Sequence, residues 1–236
     1  GVMNTDNMSI TGETIDYGPC AFMNKYDPKT AFSSIDRHGR YAFGNQHKIT
    51  YWNLSVFAGT LLSFIDSNES KSIDLAQNVL DEFPAYFSNK WHKMMFSKLG
   101  IKNPEESDKK FINDLLGLME SYKADYTNTF LGLTLDKASK DSLFQSIDFK
   151  SWKKKWKKRT ENDKNSTKLM KENNPIYIPR NHLVESALNN AINGNKEEFD
   201  KILNQMSHTY DYEAKSDEFQ NVPEDFDKTY KTFCGT

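Results

Sequence analysis

The sequence of 236 residues predicts a mainly α-helical fold that opens with a short β or extended segment. Two observations lead to this prediction. After residue 46, apolar residues recur about every 3.6 positions over long stretches, which is the period of a helix with one buried face. Before that point, polar motifs lie between short apolar pieces, a pattern typical of an anchored loop. We therefore divide the chain into a loop-rich region, 1–46, and a helical region with a C-terminal tail, 47–236.

The opening loop carries Asp6 and Asn7 and, nine residues further on, Asp16. In kinase-type sites one Asp orients or deprotonates an attacking hydroxyl, while an Asn and a second Asp hold the metal ion that bridges nucleotide phosphates. Carboxylate and amide oxygens are the ligands that magnesium prefers. Asx residues beside Thr, Ser and Gly are also ordinary turn formers, so a purely structural role for each of them stays open.

The helical region divides into segments by its apolar period. Predicted helices cover 48–66, 72–99, 103–126, 183–193 and 196–206. Pro84 should kink or break the second helix, because proline has no N–H group to donate. Glu105 and Glu106 place acids in the first turn of the third helix, where they complement the helix dipole. Gly194 is a typical C-cap for the fourth helix.

A basic run interleaved with tryptophan occupies 150–159 and could bind nucleic acid or an anionic surface. We favour another interpretation, in which Trp152 and Trp156 lie four residues apart on a helix and pack inward while the lysines stay solvated. The polar stretch 161–174 predicts a loop between two helices. Asn181 predicts the N-cap of the helix that follows.

Composition excludes several classes of protein. A net charge of −2 argues against a wholesale nucleic-acid binder. No stretch approaches the run of about 18 apolar residues that a membrane span needs. The five histidines have no zinc-like spacing, and two cysteines do not make a disulfide scaffold. We therefore expect neither nucleic acid nor membrane among the partners.

Three blocks resemble the selenoprotein O family of pseudokinases: GVMNTDNMSITGETIDYGPCAF from Gly1, FSSIDRHGRYAFGNQHKITYWNL from Phe32, and NPIYIPRNHLVESALNNAINGN from Asn174. The stretch 69–173 matches only as generic helix. Members of this family look like protein kinases with a rearranged nucleotide pocket, and they transfer AMP instead of phosphate to protein hydroxyls. The resemblance implies the C-terminal lobe of a protein-kinase-like fold that begins at the catalytic loop. The N-terminal lobe, which cradles the nucleotide, would then lie upstream and be absent.

The resemblance also implies roles for the loop residues. Asp6 would accept the proton, Asn7 would bind metal, and Asp16 would bind both metal and ATP. The cofactor would be Mg²⁺ or Mn²⁺, with ATP as substrate. The partners would be proteins with Ser, Thr or Tyr hydroxyls, together with the missing lobe of the same protein, so we expect this chain alone to be inactive. The location would be the cytoplasm in a bacterium or the mitochondrion in a eukaryote.

A redox disulfide between Cys20 and Cys234 is a further implication, because bacterial members of the family tend to pair these two cysteines. The chain ends Cys-Gly-Thr, whereas the family usually ends Cys-Ser-Ser. Two alternatives to AMP transfer stay open. Asp6, Asn7 and Asp16 would equally suit phosphoryl transfer by an ordinary kinase, and a helical interaction module could keep the loop without its chemistry.

Overall fold

The computed structural model describes residues 1–13, 21–137, 141–213 and 217–232. It is mainly helical, as the apolar period predicts. The chain divides by its internal contacts into two compact units. The first consists of 1–21, 28–92 and 231–236, and the second consists of 22–27 and 93–230.

The α-helices of the described residues are α1 Gln46–Ile65, α2 Glu69–Lys98, α3 Lys109–Tyr122, α4 Tyr126–Thr134, α5 Ser142–Gln145, α6 Ile147–Thr160, α7 Ser166–Asn173, α8 Asn181–Ile192, α9 Glu197–Ser207 and α10 Phe226–Thr229. Short 3-10 turns lie at Thr5–Asn7, Phe43–Asn45, Glu106–Asp108 and Asp217–Phe219. An isolated antiparallel bridge joins Lys25 and Asp125 in the second unit. Across the described ranges, none of the helices has both the length and the apolar character that crossing a bilayer requires.

Helix α1 and the part of α2 up to residue 92 form an antiparallel hairpin in the first unit. The rings of Tyr51 and Phe83 lie 6.1 Å apart, and near the connection Ser72 donates from Oγ to the carbonyl of Leu62 at 2.5 Å. Residues that contact each other across the two helices therefore lie closer together in sequence near the turn than far from it, as the antiparallel helices of an αα-hairpin require. Both helices carry many exposed apolar side chains.

The core of the second unit contains both tryptophans of the basic run. Trp152 and Trp156 are almost fully buried on α6, and their rings stack 5.8 Å apart. Each indole donates to a backbone carbonyl, Trp152 to Phe111 at 3.1 Å and Trp156 to Leu99 at 2.9 Å. The N–H group of each buried indole therefore has a hydrogen-bond acceptor. The predicted inward packing of these two residues is confirmed.

A buried ion pair joins distant parts of the second unit. Arg180, only 1% exposed, donates to both carboxylate oxygens of Asp125 and to Oδ1 of Asn24 at 2.9 Å. The Asp125 carboxylate also accepts the Asn128 N–H at 2.8 Å and so caps helix α4. One carboxylate therefore fixes a helix start and neutralises a buried guanidinium.

Two predictions about helix boundaries need correction. Pro84 does not break helix α2, which continues from Glu69 to Lys98; a kink at Pro84 stays a prediction. A proline costs a helix about 3 kcal/mol, and packing of the neighbouring Phe83 on α1 offsets part of this cost. The predicted helix 103–126 is shorter in the structure: α3 begins at Lys109 and ends at Tyr122, because Lys123 takes a left-handed conformation with φ of 51°.

Two further predictions need correction. The stretch 161–174, predicted as a loop, contains helix α7, whose Met170 is buried although the segment is polar overall. Asn181 is not the N-cap of α8, since Arg180 occupies that position. The Asn181 side chain instead pairs with the backbone of Phe22, accepting its N–H at 2.9 Å and donating to its carbonyl at 2.8 Å. The Asn181 amide thus makes the pair of hydrogen bonds with Phe22 that the backbone of a neighbouring β-strand would make.

Candidate functional site

The candidate catalytic residues Asp6 and Asn7 lie side by side in the 3-10 turn Thr5–Asn7 of the first unit. Both side chains are exposed. The Asn7 backbone N–H donates to Asn4 at 3.0 Å, and its side-chain Nδ2 donates to the Val2 carbonyl at 3.1 Å. The turn is therefore closed by its own neighbours, and it leaves the Asp6 carboxylate accessible to a reacting group.

Helix α1 holds this turn in place through Asn53. The Asn53 side chain is 6% exposed, and its Nδ2 atom donates to the Met3 carbonyl at 2.9 Å and contacts the sulfur of Met8. These two residues flank the turn on either side of Asp6. The buried amide therefore links the residues on both sides of the turn to helix α1.

A second tether reaches the same segment from the loop that precedes α1. The hydroxyl of Tyr41 donates to Oδ1 of Asn4. Tyr41 is itself held by Asp36, whose carboxylate accepts the N–H groups of Arg40 and Tyr41 at 2.8 and 2.9 Å. The Arg40 guanidinium lies 4.6 Å from the ring centroid of Trp52, a cation–π contact on helix α1.

A cavity of about 270 Å³ lies beside the turn. Its lining combines residues of the opening segment, including Thr5 and Met8, with α1 residues such as Val56 and Phe57. Asn53 also lines it, and its Oδ1 atom is buried without a hydrogen-bond partner within the described ranges. An unpaired buried acceptor costs about 1–3 kcal/mol, so this oxygen marks a position where a donor would bind favourably.

The described residues supply part of a metal site. Asn7 uses its amide nitrogen for the bond to Val2, so the amide oxygen, which is the atom a hard cation takes, is not spent on that contact. Within the described ranges, no cluster of three or more His, Cys, Asp or Glu side chains could hold a metal ion. The second expected ligand, Asp16, lies outside the described residues, as do Cys20 and Cys234. Their roles stay predictions.

Asn53 is the site residue that the sequence analysis missed. A signal was present, because this Asn interrupts the apolar residues of a predicted helix and lies within the family-like block that ends in Tyr-Trp-Asn-Leu. A buried polar residue on a helix usually has a specific partner. The partner could not be identified from the sequence, since it is a backbone carbonyl 50 residues away.

Comparison with known proteins shows which family this sequence matches. The family model described as "Protein adenylyltransferase SelO" matches residues 1–207. Similar curated proteins include the "Protein nucleotidyltransferase YdiU" of Clostridium beijerinckii, which is 49% identical over 240 aligned residues. The protein of the same name from Geobacillus kaustophilus is 47% identical over 241.

These alignments cover the whole of this chain but only 49% and 50% of the two relatives. The chain thus spans about half the length of the curated relatives it matches. The family match extends over the turn with Asp6 and Asn7 and over helix α1 that holds it. The chain belongs to the SelO family.

Proposed function

We propose that this chain is the catalytic-loop part of a longer protein adenylyltransferase, which transfers AMP from ATP to Ser, Thr or Tyr hydroxyls of proteins. The observation that carries the proposal is the placement of Asp6. Its carboxylate is exposed in a turn whose two flanks are tied to one helix by Asn53. An accessible carboxylate on a fixed backbone meets the first requirement for a general base.

In the proposed reaction the acceptor hydroxyl loses its proton to Asp6 while its oxygen attacks the α-phosphorus of ATP. The bond between the α-phosphorus and the α–β bridging oxygen breaks, and pyrophosphate leaves with that oxygen. The new phosphodiester joins AMP to the protein. Such transfers rely on positioning and on charge stabilisation, since the phosphoryl group itself needs little covalent help.

The divalent ion, Mg²⁺ or Mn²⁺, would be held by Asn7 and Asp16, with Asp16 also contacting ATP. When bound, such an ion neutralises charge on the nucleotide phosphates. Asn7 fits this role through its amide oxygen. We place the chain in the C-terminal lobe of a kinase-like fold, with the nucleotide-cradling lobe contributed by the rest of the longer polypeptide.

Mass spectrometry of acceptor proteins tests this function. The longer polypeptide is incubated with ATP, Mg²⁺ and a cell extract, and modified peptides are identified by their mass increase. We expect AMP on hydroxyl side chains. Addition of phosphate would instead indicate an ordinary kinase. If the polypeptide did not bind ATP at all, it would be a non-catalytic helical module. The 236-residue chain alone should transfer nothing, because phosphate positioning requires groups from both lobes.

We also propose that Cys20 and Cys234 form the redox disulfide implied by the family. Thr232, close to Cys234 in sequence, is anchored in the first unit. Its carbonyl accepts the Ser34 N–H at 2.8 Å, and its hydroxyl donates to the Phe32 carbonyl at 2.7 Å. Non-reducing peptide mapping after oxidation tests the pairing. Two free thiols that persist under an oxidising buffer would contradict it.

A further inference from the structure

An apolar groove of about 580 Å³ runs along the α1–α2 hairpin of the first unit. Its lining comes from both helices and is apolar apart from Glu82: it includes Phe57, Leu61 and Ile65 from α1 and Leu75, Val79 and Tyr86 from α2. Phe83 lines the groove and also packs on Tyr51 in the hairpin contact, but several other lining side chains stay well exposed in the part of the chain that the structure describes.

The exposed fraction of these side chains is high for their type. Val79 is 71% exposed, Tyr86 60%, and Phe57 42%. Phe64, on the same helix as Phe57, is 85% exposed. A contiguous apolar surface of this kind marks an interface, whereas isolated exposed apolar residues are ordinary on any protein surface.

We propose that this groove is the docking surface for the half of the longer polypeptide that lies outside these 236 residues. The relatives are about twice as long as this chain and match it over its whole length, so a comparable length of polypeptide is available to cover the groove. An apolar groove with one charged residue in its lining selects an apolar partner surface. The inference uses the longer polypeptide of the proposed function, but it does not depend on AMP transfer.

The groove is also continuous with the candidate site. Leu54 and Phe57 line both the groove and the cavity beside the Thr5–Asn7 turn. A segment seated in the groove would therefore contact the same face of α1 that positions Asp6. Because the groove and the cavity share these two side chains, packing of the other half in the groove would act directly on the surroundings of the Thr5–Asn7 turn.

Photo-crosslinking in the longer polypeptide tests the occupant. A benzophenone amino acid replaces Val79, and a matched control replaces Ile147, which is 85% exposed at the start of α6 in the second unit. After irradiation, we expect cross-links from position 79 to residues outside the 236, within a product of monomer mass. A product of dimer mass would identify a second copy as the occupant and overturn the proposal, as would the absence of cross-links to the other half.

Thermal unfolding gives an independent readout. In the longer polypeptide Val79→Glu should lower Tm by about 5 °C or more, because it places an unpaired charge in a covered apolar groove. Ile147→Glu should change Tm by about 1 °C or less, since this side chain is exposed and a carboxylate suits the first turn of a helix. Equal tolerance of both substitutions would overturn the proposal. Neither readout requires activity, so a failure here is distinct from a failure of the proposed chemistry.

Discussion

The side-chain nitrogen of Asn53 lies 2.9 Å from the carbonyl oxygen of Met3, and this hydrogen bond joins the buried face of helix α1 to the backbone just before Asp6. The same amide contacts Met8 on the other side of the turn. Together with the hydrogen bond from Tyr41 to Asn4, these contacts hold the turn that carries the candidate base against helix α1 and the loop that precedes it. A functional residue on a loop is held more precisely when the loop is bonded to a rigid helix than when it is held only by its own neighbours.

Asn53→Leu should loosen this turn, because the substitution keeps the approximate size of the side chain and removes the donor. We expect the free energy of unfolding to fall by about 1 kcal/mol, because the Met3 carbonyl loses its donor while the unpaired Oδ1 of Asn53 is removed as well. Amide hydrogen exchange between residues 4 and 8 should accelerate. In the longer polypeptide kcat should fall more than KM rises, since Asp6 would be misplaced in the transition state.

Asn113→Leu is the matched control, because Asn113 is exposed on α3 in the second unit. It should leave exchange at residues 4–8 unchanged. Unaltered exchange in Asn53→Leu would contradict the role given to this amide, even if its stability fell.

Asp6→Asn in the longer polypeptide tests the candidate base itself. The amide keeps the shape of the side chain but accepts no proton, so transfer should slow by roughly 10² or more while nucleotide affinity changes little. Rates of AMP transfer and a nucleotide titration measure the two quantities separately. The control is Asp74→Asn, at an exposed position of α2. If Asp6→Asn abolished nucleotide binding and left turnover of bound nucleotide intact, Asp6 would be a ligand and not a base.

The helices were largely predictable from the sequence. The predicted helix 48–66 is Gln46–Ile65, and the predicted 196–206 is Glu197–Ser207. The second has a clear apolar period, and the first is rich in apolar residues along its whole length. Helix α7 was missed since its sequence is polar and tertiary packing of Met170 decides it. The end of α3 was missed because Lys123, a side chain that seldom adopts positive φ, takes the left-handed position.

The candidate site was predictable only in part. Asp6 and Asn7 could be proposed because they are adjacent in sequence and form a recognisable motif. Asn53 and Tyr41 contact that segment from positions 50 and 37 residues away, and no local pattern encodes such distances. The Arg180–Asp125 pair is similar, since 55 residues separate its members.

Arg180→Met should destabilise the second unit strongly. The substitution leaves the carboxylate of Asp125 partly buried without its counter-charge, and breaking a buried pair in this way costs about 3–5 kcal/mol. Urea unfolding measures the loss. The control is Lys201→Met, which removes an exposed pair with Glu218 and should cost about 1 kcal/mol or less. Equal small effects would mean that the buried pair contributes no more than an exposed one.

The last prediction concerns Lys98, a largely buried lysine at the end of α2. Its ammonium donates to the Asn173 carbonyl at 3.1 Å and to Oδ1 of Asn174 at 3.3 Å, and it lies 5.0 Å from the ring centroid of Phe130. None of the ion pairs found in the described ranges supplies it with a carboxylate at close range. Burial therefore lowers the pKa of Lys98 to about 8.

The lowered pKa fixes the direction of a pH dependence. Below pH 8 both folded and unfolded states hold the proton, so the folded state bears the full cost of the buried charge. Between pH 8 and about 10.4, the ordinary lysine pKa, the unfolded state binds more protons, and the Lys98 contribution to stability rises with pH.

In Lys98→Met this contribution is absent. The free energy of unfolding of the parent protein minus that of Lys98→Met should therefore rise across this window, by at most about 1.4 kcal/mol per pH unit. Lys102→Met, at an exposed position, is the matched control for the loss of a lysine. A level difference for Lys98→Met, from urea unfolding at pH 7.5, 8.5 and 9.5, would mean that the Lys98 ammonium is solvated in the folded protein.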